Sequence, residues 1–396
     1  MVNLIIDNKN TSWKYGVLED AIEKGSSNIS LNKVRNDTGD YPLYSAKGFN
    51  KKISFFHQHK VYLAIIKDGA GIGRVSKHPA KSSIVATMQY LIPKDGFNID
   101  FIKYFLNGID FEKHRNGSTI PHIYFKDYKS ERFPILPLPE QKRIVSILDR
   151  AFEAIDQAKA NAEQNLKNAK ELFESYLQGV FENKGDDWEE KEFGEVITIL
   201  TDYHANGSYK ILKKNVMLKD TEDYAWMIRS TDFEKKFKNS LKYIDKHAYN
   251  FMSKSKVFGN EIIMSKIGNA GIVYLMPRID RPVSLAMNLF LIRLNENIVS
   301  PDFIFRFLKS NGGETQIKKR VKGATTKTIT KDNVRNIIIS YPPVKTQKQI
   351  VDQLDKLQAE TKKLEAIYQQ KIDDLEELKK SVLQKAFSGQ LIMENE

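Results

Sequence analysis

The chain has 396 residues, 41% of them hydrophobic and 28% charged, which is a globular balance with enough length for two or three domains. It contains no cysteine, so disulfides, thiolate nucleophiles and cysteine-ligated metal sites are excluded. The net charge of +12 favours a polyanionic partner. No apolar run approaches the ~18 residues of a membrane span, so we expect a cytoplasmic protein with no membrane partner.

Residues 1–139 predict a mixed α+β domain. The apolar run Lys60–Ile66 and the pair Arg74-Val75 predict two strands, and the glycine-rich segment 68–73 predicts the hairpin turn between them. Residues 100–106 predict a short helix. Because no helical pattern follows the glycines directly, we do not expect a nucleotide-binding loop here.

Residues 140–182 predict a long helix. Pro137 and Pro139 stand where a helix is expected to begin, and no proline follows them within this segment. Apolar residues recur near heptad spacing, which is typical of a coiled coil. The seam residues that we expect to pack are Leu148, Ile155, Ala162 and Leu172.

Residues 183–345 predict a second mixed domain of the same kind. Residues 261–264 and 272–275 predict strands on either side of a glycine turn, and residues 301–308 predict a short helix. Residues 346–396 predict a second long helix and a tail. The seam residues expected in this helix are Leu354, Leu364, Leu375 and Leu378.

Three separated blocks of sequence recur at one constant distance, which indicates a tandem duplication. The blocks that begin at Gly117, Glu140 and Ser175 match those that begin, 206 residues later, at Gly323, Thr346 and Ser381. We therefore predict an α+β fold with a pseudo-twofold repeat. Two mixed α/β domains are separated by two long helices, which pack against each other as an antiparallel coiled coil. The alternative is that each helix pairs with another molecule.

The excess positive charge lies in the two mixed domains. Residues 1–139 carry a net charge of +7 and residues 188–345 carry +10, whereas segments 140–182 and 346–387 carry −2 and zero. Two basic domains joined by a neutral spacer indicate a protein that binds nucleic acid at two points.

A basic loop precedes the shared Gly–Thr block in both domains, as Lys113–Gly117 and Lys318–Gly323. Lysine, arginine, threonine and exposed backbone N–H groups are the groups that contact phosphates; the alternative is a merely solvated loop. The candidate DNA-binding residues are Tyr44, Lys47, Lys67, Arg74, Lys113, Arg115, Ser118, Thr119, Arg229, Thr231, Lys266, Asn269, Lys318, Lys319, Arg320, Lys322, Thr325 and Lys327.

Segment 226–233 leaves two interpretations open. It combines an arginine, hydroxyl groups and a carboxylate after a strand-like run. Arg229 could recognise a guanine edge, or it could pair with Asp232.

No catalytic, metal or cofactor site is predicted. The seven histidines are scattered, without partners at metal-ligand spacing, and we interpret them as ordinary polar positions. The phosphate-binding Gly-x-x-x-x-Gly-Lys-[Ser/Thr] pattern is absent from the sequence. We expect a chain that recognises DNA without cutting or modifying it.

The whole pattern resembles the specificity subunit of type I restriction–modification systems, over nearly the entire chain. A helix-entry motif similar to that of the family, Pro-hydrophobic-Pro-Glu-Gln, stands at Pro137–Gln141 and is altered at Pro343–Gln347, where lysine and threonine replace proline and glutamate. Helix ends of the form Ser-x-Leu-Gln-x-x-Phe at Ser175–Phe181 and Ser381–Phe387, and the closing Ser388–Leu391, are also similar to the family.

The resemblance implies two target-recognition domains, each binding one half of a bipartite, asymmetric site in double-stranded DNA, with the coiled coil fixing the spacer. It implies two methyltransferase subunits that bind S-adenosylmethionine and methylate adenine N6, and, in a restricting system, two translocase/nuclease subunits that use ATP and Mg²⁺. This chain would bind no cofactor itself. The alternatives are a stand-alone DNA-binding regulator of a bipartite site and a coiled-coil scaffold that binds proteins.

Overall fold

The computed structural model describes residues 4–6 and 13–393, so residues 1–3 and 7–12 of the first predicted domain and residues 394–396 of the predicted tail lie outside the described residues. The strands are β1 (Leu4–Ile6), β2 (Lys14–Val17), β3 (Ile22–Ser26), β4 (Tyr41–Ser45), β5 (Gly48–Ile53), β6 (Tyr62–Ile66), β7 (Val75–His78), β8 (Ser83–Ile84), β9 (Met88–Pro93), β10 (Arg132–Ile135), β11 (Glu189–Glu192), β12 (Ile197–Asp202), β13 (Ala225–Ile228), β14 (Tyr243–Ile244), β15 (Lys256–Val257), β16 (Ile262–Ser265), β17 (Val273–Leu275), β18 (Val283–Leu285), β19 (Leu289–Leu294), β20 (Ile338–Tyr341) and β21 (Leu391–Met393).

The α-helices are α1 (Leu18–Ala21), α2 (Ile99–Asn107), α3 (Phe125–Tyr128), α4 (Leu138–Glu182), α5 (Phe193–Val196), α6 (Tyr209–Asn215), α7 (Ser230–Glu234), α8 (Lys246–Phe251), α9 (Pro301–Lys309), α10 (Asn311–Arg320), α11 (Lys331–Arg335) and α12 (Val344–Phe387). Short 3-10 helices span Phe111–His114, Tyr203–Asn206 and Ser253–Ser255. Among the residues described, no helix is both long and apolar enough to cross a membrane.

The chain divides into two compact units. The first unit holds residues 1–165 and 367–396, and the second unit holds residues 166–366. Each long helix therefore contributes one part to each unit. The residues between the helices form the bulk of the second unit.

The first unit is built on an antiparallel sheet of order β3-β9-β6-β7. Its strand β6 is buried along its whole length because it has a core on each face. Leu63 and Ile65 pack with α2 and α4 on one face, whereas Tyr62, Ala64 and Ile66 pack under the smaller sheet β5-β4-β8 on the other. The alternation follows from the period of two residues in a strand.

The second unit repeats this plan with the sheet β12-β19-β16-β17. Ile262 and Met264 of β16 face the core that contains α9 and Leu354, and Ile263 faces the core of the second sheet, β14-β13-β18-β15. Hairpin β16–β17 is antiparallel like β6–β7. The duplicated frame and the two glycine-turn hairpins predicted from the sequence are confirmed.

The two long helices pack against each other in antiparallel fashion, as predicted. Within the first unit, Lys159 Nζ lies 2.6 Å from Glu376 Oε1, and Lys379 Nζ lies 2.7 Å from Asp156 Oδ1. The pairing order therefore runs in opposite directions along the two helices. Pairing of each helix with another molecule is not required. Both helices begin two residues before their predicted starts, at Leu138 and Val344.

The predicted seam is wrong over part of both helices. Leu148, Ile155, Ala162 and Leu354 are buried and Leu375 packs at the edge of the first core, but Leu172, Leu364 and Leu378 are 48, 38 and 44% exposed. The strict heptad fails because a straight helix turns every 3.6 residues rather than every 3.5. In α12 the buried residues Thr361 and Ile372 are eleven residues apart. The heptad that contains Leu354 and Leu364 has a seam position ten residues after Thr361, so the buried face of the helix shifts by one residue.

A fully buried glutamine joins the start of each long helix to the rest of its unit. Gln141 Oε1 accepts a hydrogen bond from Asn98 N at 2.7 Å, and its Nε2 donates to Leu136 O at 2.8 Å and to Gly96 O at 3.1 Å. The glutamine of the second copy, Gln347, makes the same three bonds, to Ser300 N at 2.7 Å, Pro342 O at 2.8 Å and Ile298 O at 2.9 Å. Each amide thus connects a long helix to the segment that starts the short helix before it.

We expect Gln141→Ala and Gln347→Ala each to lower the free energy of unfolding by about 2–4 kcal/mol, because three buried backbone groups lose their partner. Chemical denaturation of each variant measures the loss. Lys142→Ala is the control, since this neighbour is exposed and should change stability by less than about 0.5 kcal/mol. Equal stability of all three variants would contradict the anchoring role.

Candidate nucleic-acid interface

Three loops meet at one end of the central sheet in the first unit. They are residues 67–69 after β6, residues 86–87 before β9, and the Gly–Thr loop 116–122. Lys67 N donates to Thr87 O at 3.0 Å, Gly69 N donates to Pro121 O at 2.9 Å, and Lys67 O accepts from Ile123 N at 2.9 Å. We call these residues the first loop cluster.

The second unit assembles the same three loops from residues 266–269, 286–288 and 322–328. Lys266 N donates to Asn288 O at 2.8 Å, Gly268 N donates to Lys327 O at 2.9 Å, and Lys266 O accepts from Ile329 N at 3.0 Å. We call these residues the second loop cluster. Backbone contacts with the same pattern in both units show that the duplication extends to this surface.

A glycine is required where each Gly–Thr loop turns outward. Gly117 has φ +81°, and a Cβ there would lie 2.5 Å from Ile120 O; Gly323 has φ +106°, and a Cβ would lie 2.1 Å from Thr326 O. Paired backbone hydrogen bonds close each loop, between Asn116 and His122 and between Lys322 and Thr328. Residues 117–120 of the first loop and residues 323–327 of the second loop are exposed, whereas Pro121, His122 and Thr328 are half-buried.

A buried carboxylate holds Lys266 in the second loop cluster. Lys266 Nζ lies 2.8 Å and Lys331 Nζ 3.7 Å from the carboxylate of Asp202. Burial works to raise the pKa of Asp202, but the hydrogen bond from Lys266 and the charge of Lys331 outweigh it, so the pKa lies below its usual value. Lys266 is therefore a positioned cation at the base of the loop rather than a freely moving one.

The candidates of the first unit fall into two groups. Lys67, Ser118 and Thr119 belong to the first loop cluster. Lys113 lies on the 3-10 turn just before it, and Arg115 directly follows that turn. Lys113 and Arg115 form exposed ion pairs with Asp110 and Glu112, at 3.7 and 3.1 Å.

The second group of the first unit lies on two hairpins. Arg74, in hairpin β6–β7, donates through a guanidinium nitrogen to Ala46 O at 3.2 Å, which joins it to the β4–β5 turn where exposed Lys47 lies. Tyr44 is half-buried, with its ring 4.3 Å from that of His78. Burial lowers the pKa of His78 to about 4, so this ring is neutral at physiological pH.

In the second unit, Lys266, Asn269, Lys322, Thr325 and Lys327 all belong to the second loop cluster. Lys318 and Lys319 lie on the last turn of α10, adjacent to it along the chain, and Lys318 pairs with Glu314 at 2.9 Å. Lys319, Lys322 and Lys327 are exposed, with no ion pair in the part of the chain that the structure describes.

Arg320, a candidate DNA-binding residue, has two internal hydrogen-bond partners. Its guanidinium donates to Gln316 O at 3.0 Å and to Asn336 O at 2.5 Å. The bond to Asn336 O joins α10 to the segment that leads into β20, which is a structural role, whereas the bond to Gln316 O lies within α10. The basic run in the sequence did not reveal that a carbonyl distant in sequence, that of Asn336, would accept from this arginine.

Arg229 also has a structural partner. Its guanidinium donates to both carboxylate oxygens of buried Asp232, at 2.7 and 3.2 Å, and to Ser240 O at 2.6 Å. Of the two interpretations left open by the sequence, the structure favours the internal pair over a free arginine at a guanine edge. Thr231 is exposed beside this pair.

An aromatic pair near the first loop cluster was missed by the sequence analysis. The His122 and Tyr124 rings are nearly parallel, at an interplanar angle of 16° and 6.4 Å between centroids, and Tyr124 is exposed. His122 Nδ1 lies 2.7 Å from Asp68 Oδ1, so this histidine has a carboxylate partner that is distant in sequence. Their position directly after the Gly–Thr block was the available signal. The described residues include no group of three or more metal-ligating side chains that could hold an ion.

Comparison with known proteins identifies both halves of the chain. The family model described as the type I restriction modification DNA specificity domain matches residues 10–168 and residues 185–374. The chain is 24% identical over 324 residues to the type I restriction enzyme EcoBI specificity subunit of Escherichia coli, covering 76% of this chain and 67% of that protein. It is 22% identical over 358 residues to the MjaVIII specificity subunit of Methanocaldococcus jannaschii, covering 84% and 80%.

Solved structures share the fold. A chain from a study of complex assembly and conformational transition of the type I R-M system superposes with a TM-score of 0.70 at 14% identity, covering 95% of this chain and 97% of that one. The HsdS subunit from Thermoanaerobacter tengcongensis superposes with a TM-score of 0.60 at 15% identity, covering 96% and 98%.

The Asp202 contacts lead to a pH-dependent stability. Because the folded pKa lies below the usual value of 3.8, the ionised carboxylate stabilises the fold above that pH and the contribution is lost as pH falls through the folded pKa. We expect Asp202→Asn to lower the free energy of unfolding by about 1–3 kcal/mol at neutral pH, with a difference from the parent that shrinks towards pH 3. Denaturation across this pH range measures it, with exposed Asp332→Asn as control. A difference that does not change with pH would contradict this assignment.

Proposed function

We propose, because this chain belongs to the family of type I restriction–modification DNA specificity subunits, that its two loop clusters each contact one half of a bipartite DNA site. The observation that carries this proposal is the repetition of one three-loop cluster, with the same backbone contacts and a glycine-closed, exposed loop, in two units of different surface chemistry.

The side chains on the loops suggest separate tasks. Lys322 and Lys327 in the second unit, and Lys113 and Arg115 in the first, supply the flexible cations that neutralise phosphates. Asn269 and Thr325, like Ser118, offer short hydrogen-bonding side chains that suit base edges or phosphate oxygens. Backbone hydrogen bonds hold the loops that carry Ser118, Asn269, Lys322, Thr325 and Lys327.

The two half-sites would differ in sequence. The first loop cluster is flanked by the aromatic pair of His122 and Tyr124, whereas Thr328 and Thr330 stand at the corresponding positions of the second unit. An exposed ring can stack on a base or a sugar, which a threonine cannot do. The bipartite site is therefore expected to be asymmetric.

The chemistry of modification belongs, in this proposal, to other subunits. Two methyltransferase subunits would dock along the long helices, bind S-adenosylmethionine and methylate adenine N6. In a restricting complex two further subunits would use ATP and Mg²⁺ to translocate and cut DNA. This chain would be the non-catalytic component that selects the sequence, and its helices would set the spacer between the half-sites.

The double variant Lys322→Ala/Lys327→Ala tests the phosphate contact. Both lysines are exposed and without partners among the described residues, so their removal should leave stability unchanged. We expect weaker binding to every DNA sequence, and a plot of log affinity against log salt whose slope falls by about 1–2, since each lost phosphate contact contributes roughly 0.9.

The matched control is Lys356→Ala/Lys362→Ala, which removes two exposed lysines from α12. It should leave the salt dependence of DNA binding unchanged. A changed sequence preference with an unchanged salt slope in the loop variant would place these lysines on bases instead. Affinity that does not change in either variant would remove the second loop cluster from the interface.

A further inference from the structure

The first unit has an open groove of about 1010 Å³ at the end of α12. Its lining includes the apolar side chains of Phe105, Phe111, Leu383 and Phe387, together with polar and charged residues such as Gln384, Arg132 and Glu131. The second unit has a cavity of only about 170 Å³ at the matching place, lined by Gln178, Phe181 and Phe307. Gln178, Phe181 and Phe307 correspond in the repeat to Gln384, Phe387 and Phe105, so the two spaces differ in volume although these lining residues match.

Helix α10 fills this place in the second unit. Asn311 N, at the start of the helix, donates to Gln178 Oε1 at 2.7 Å. Gln316 then bonds the backbone of Ile338 twice, because its Nε2 donates to Ile338 O at 2.7 Å and its Oε1 accepts from Ile338 N at 2.9 Å. The helix is thus held at its N-terminus by one amide and at the exposed edge of β20 by another.

The first unit lacks the residues to make this helix. The chain from Gly108 to Gly117 is four residues shorter than the corresponding chain from Ser310 to Gly323, and four residues are about one helical turn. What remains is the 3-10 turn that carries Phe111. Phe111 packs on Gly73 as Ile317 of α10 packs on Gly271, so only the first part of the helix is missing.

The groups that hold α10 in the second unit are still present in the first. Gln384 corresponds to Gln178; it is exposed, and its side chain has no hydrogen bond within the described residues. Arg132 corresponds to Ile338. Leu18 N donates to Glu131 O. Because residues that bond to the partner strand alternate with residues that do not, the N–H and C=O of the next residue, Arg132, point away from β2. The N–H and C=O of Ile338 point away from β11 in the same way.

We propose that this groove is the docking site for an α-helix of another subunit of the restriction–modification complex, entering by its N-terminus. The proposal depends on the proposed function only for the identity of the partner. The first N–H groups of the helix would bond Gln384, and an amide side chain five residues later would bond the Arg132 backbone. Phe105, Phe111, Leu383 and Phe387 line part of the groove, and they could contact the apolar face of such a helix.

The contacts of α10 also define the sequence that fits. A Cβ on Gly313, the third residue of α10, would lie 2.2 Å from Phe307 O. Phe105 takes the place of Phe307 in the first unit, so a docking helix needs a glycine as its third residue and glutamine or asparagine as its sixth. Since α10 already closes the second unit, only the first unit would bind this helix, and the complex would be asymmetric at this position.

The test compares two equivalent glutamines in the full-length chain. Gln384→Ala should weaken association with the purified modification subunit roughly five- to tenfold, the effect of losing one hydrogen bond to a helix end, without changing the melting temperature. Gln178→Ala should lower the melting temperature by uncapping α10 and leave that association unchanged. Gly108 lines the groove, and a Cβ there would lie 3.2 Å from Phe105 O and 3.8 Å from Leu383 Cβ, so Gly108→Trp should block association more strongly.

Unchanged association of both Gln384→Ala and Gly108→Trp, beside a parent chain that does associate, would overturn the groove proposal alone. If Gly108→Trp fails to fold, Gln384→Ala decides the outcome. A parent chain that associates with no modification subunit would overturn the proposed function as well. Equal weakening by Gln384→Ala and Gln178→Ala would also contradict the proposal, because it would indicate a general effect on the helices.

Discussion

A single buried amide, present once in each copy, connects the long helices to the units that they support. Gln141 and Gln347 each satisfy three backbone groups, at the segment before a short helix and at the turn that precedes the long one. Burial makes these bonds costly to lose. Because the short helix and the central sheet share one core, the amide ties the direction of each long helix to the sheet that carries the loop cluster.

The duplicated frame and the diverged surface have different physical origins. Positions that close loops or turns are restricted by backbone geometry, so Gly117 and Gly323 recur with positive φ. Positions that point to solvent carry no such restriction, and exposed Tyr124 corresponds to exposed Thr330. A DNA-recognition subunit of this family can therefore change its contacts in one unit without disturbing the other, because the frame does not depend on those side chains.

Much of the fold could be predicted from the sequence because its signals are local or periodic. The repeat, the glycine hairpins and the antiparallel helices follow from spacing alone. The partners of Arg229 and Arg320 could not be predicted in this way. For Arg229, the nearby carboxylate of Asp232 left two interpretations open. Arg320 donates to the carbonyl of Asn336, which is sixteen residues away in the sequence. Leu172 is exposed because a straight helix does not keep a strict seven-residue repeat, so a heptad pattern extended along the whole helix predicts the wrong buried residues near its end.

The groove of the first unit was also beyond sequence reasoning, since it results from the absence of one helical turn. Only the comparison of two copies in space shows that Gln384 retains the capping group of Gln178 without a helix to cap. Internal duplication makes such differences interpretable, because each unit is a control for the other.

The most direct test of the central claim is a map of modified bases in genomic DNA from cells with and without this gene, with an active modification subunit present in both. The account predicts that N6-methyladenine disappears from one asymmetric bipartite motif when the gene is deleted, which would give both half-sites and the spacer. An unchanged map would contradict the claim that this chain selects the methylated sequence.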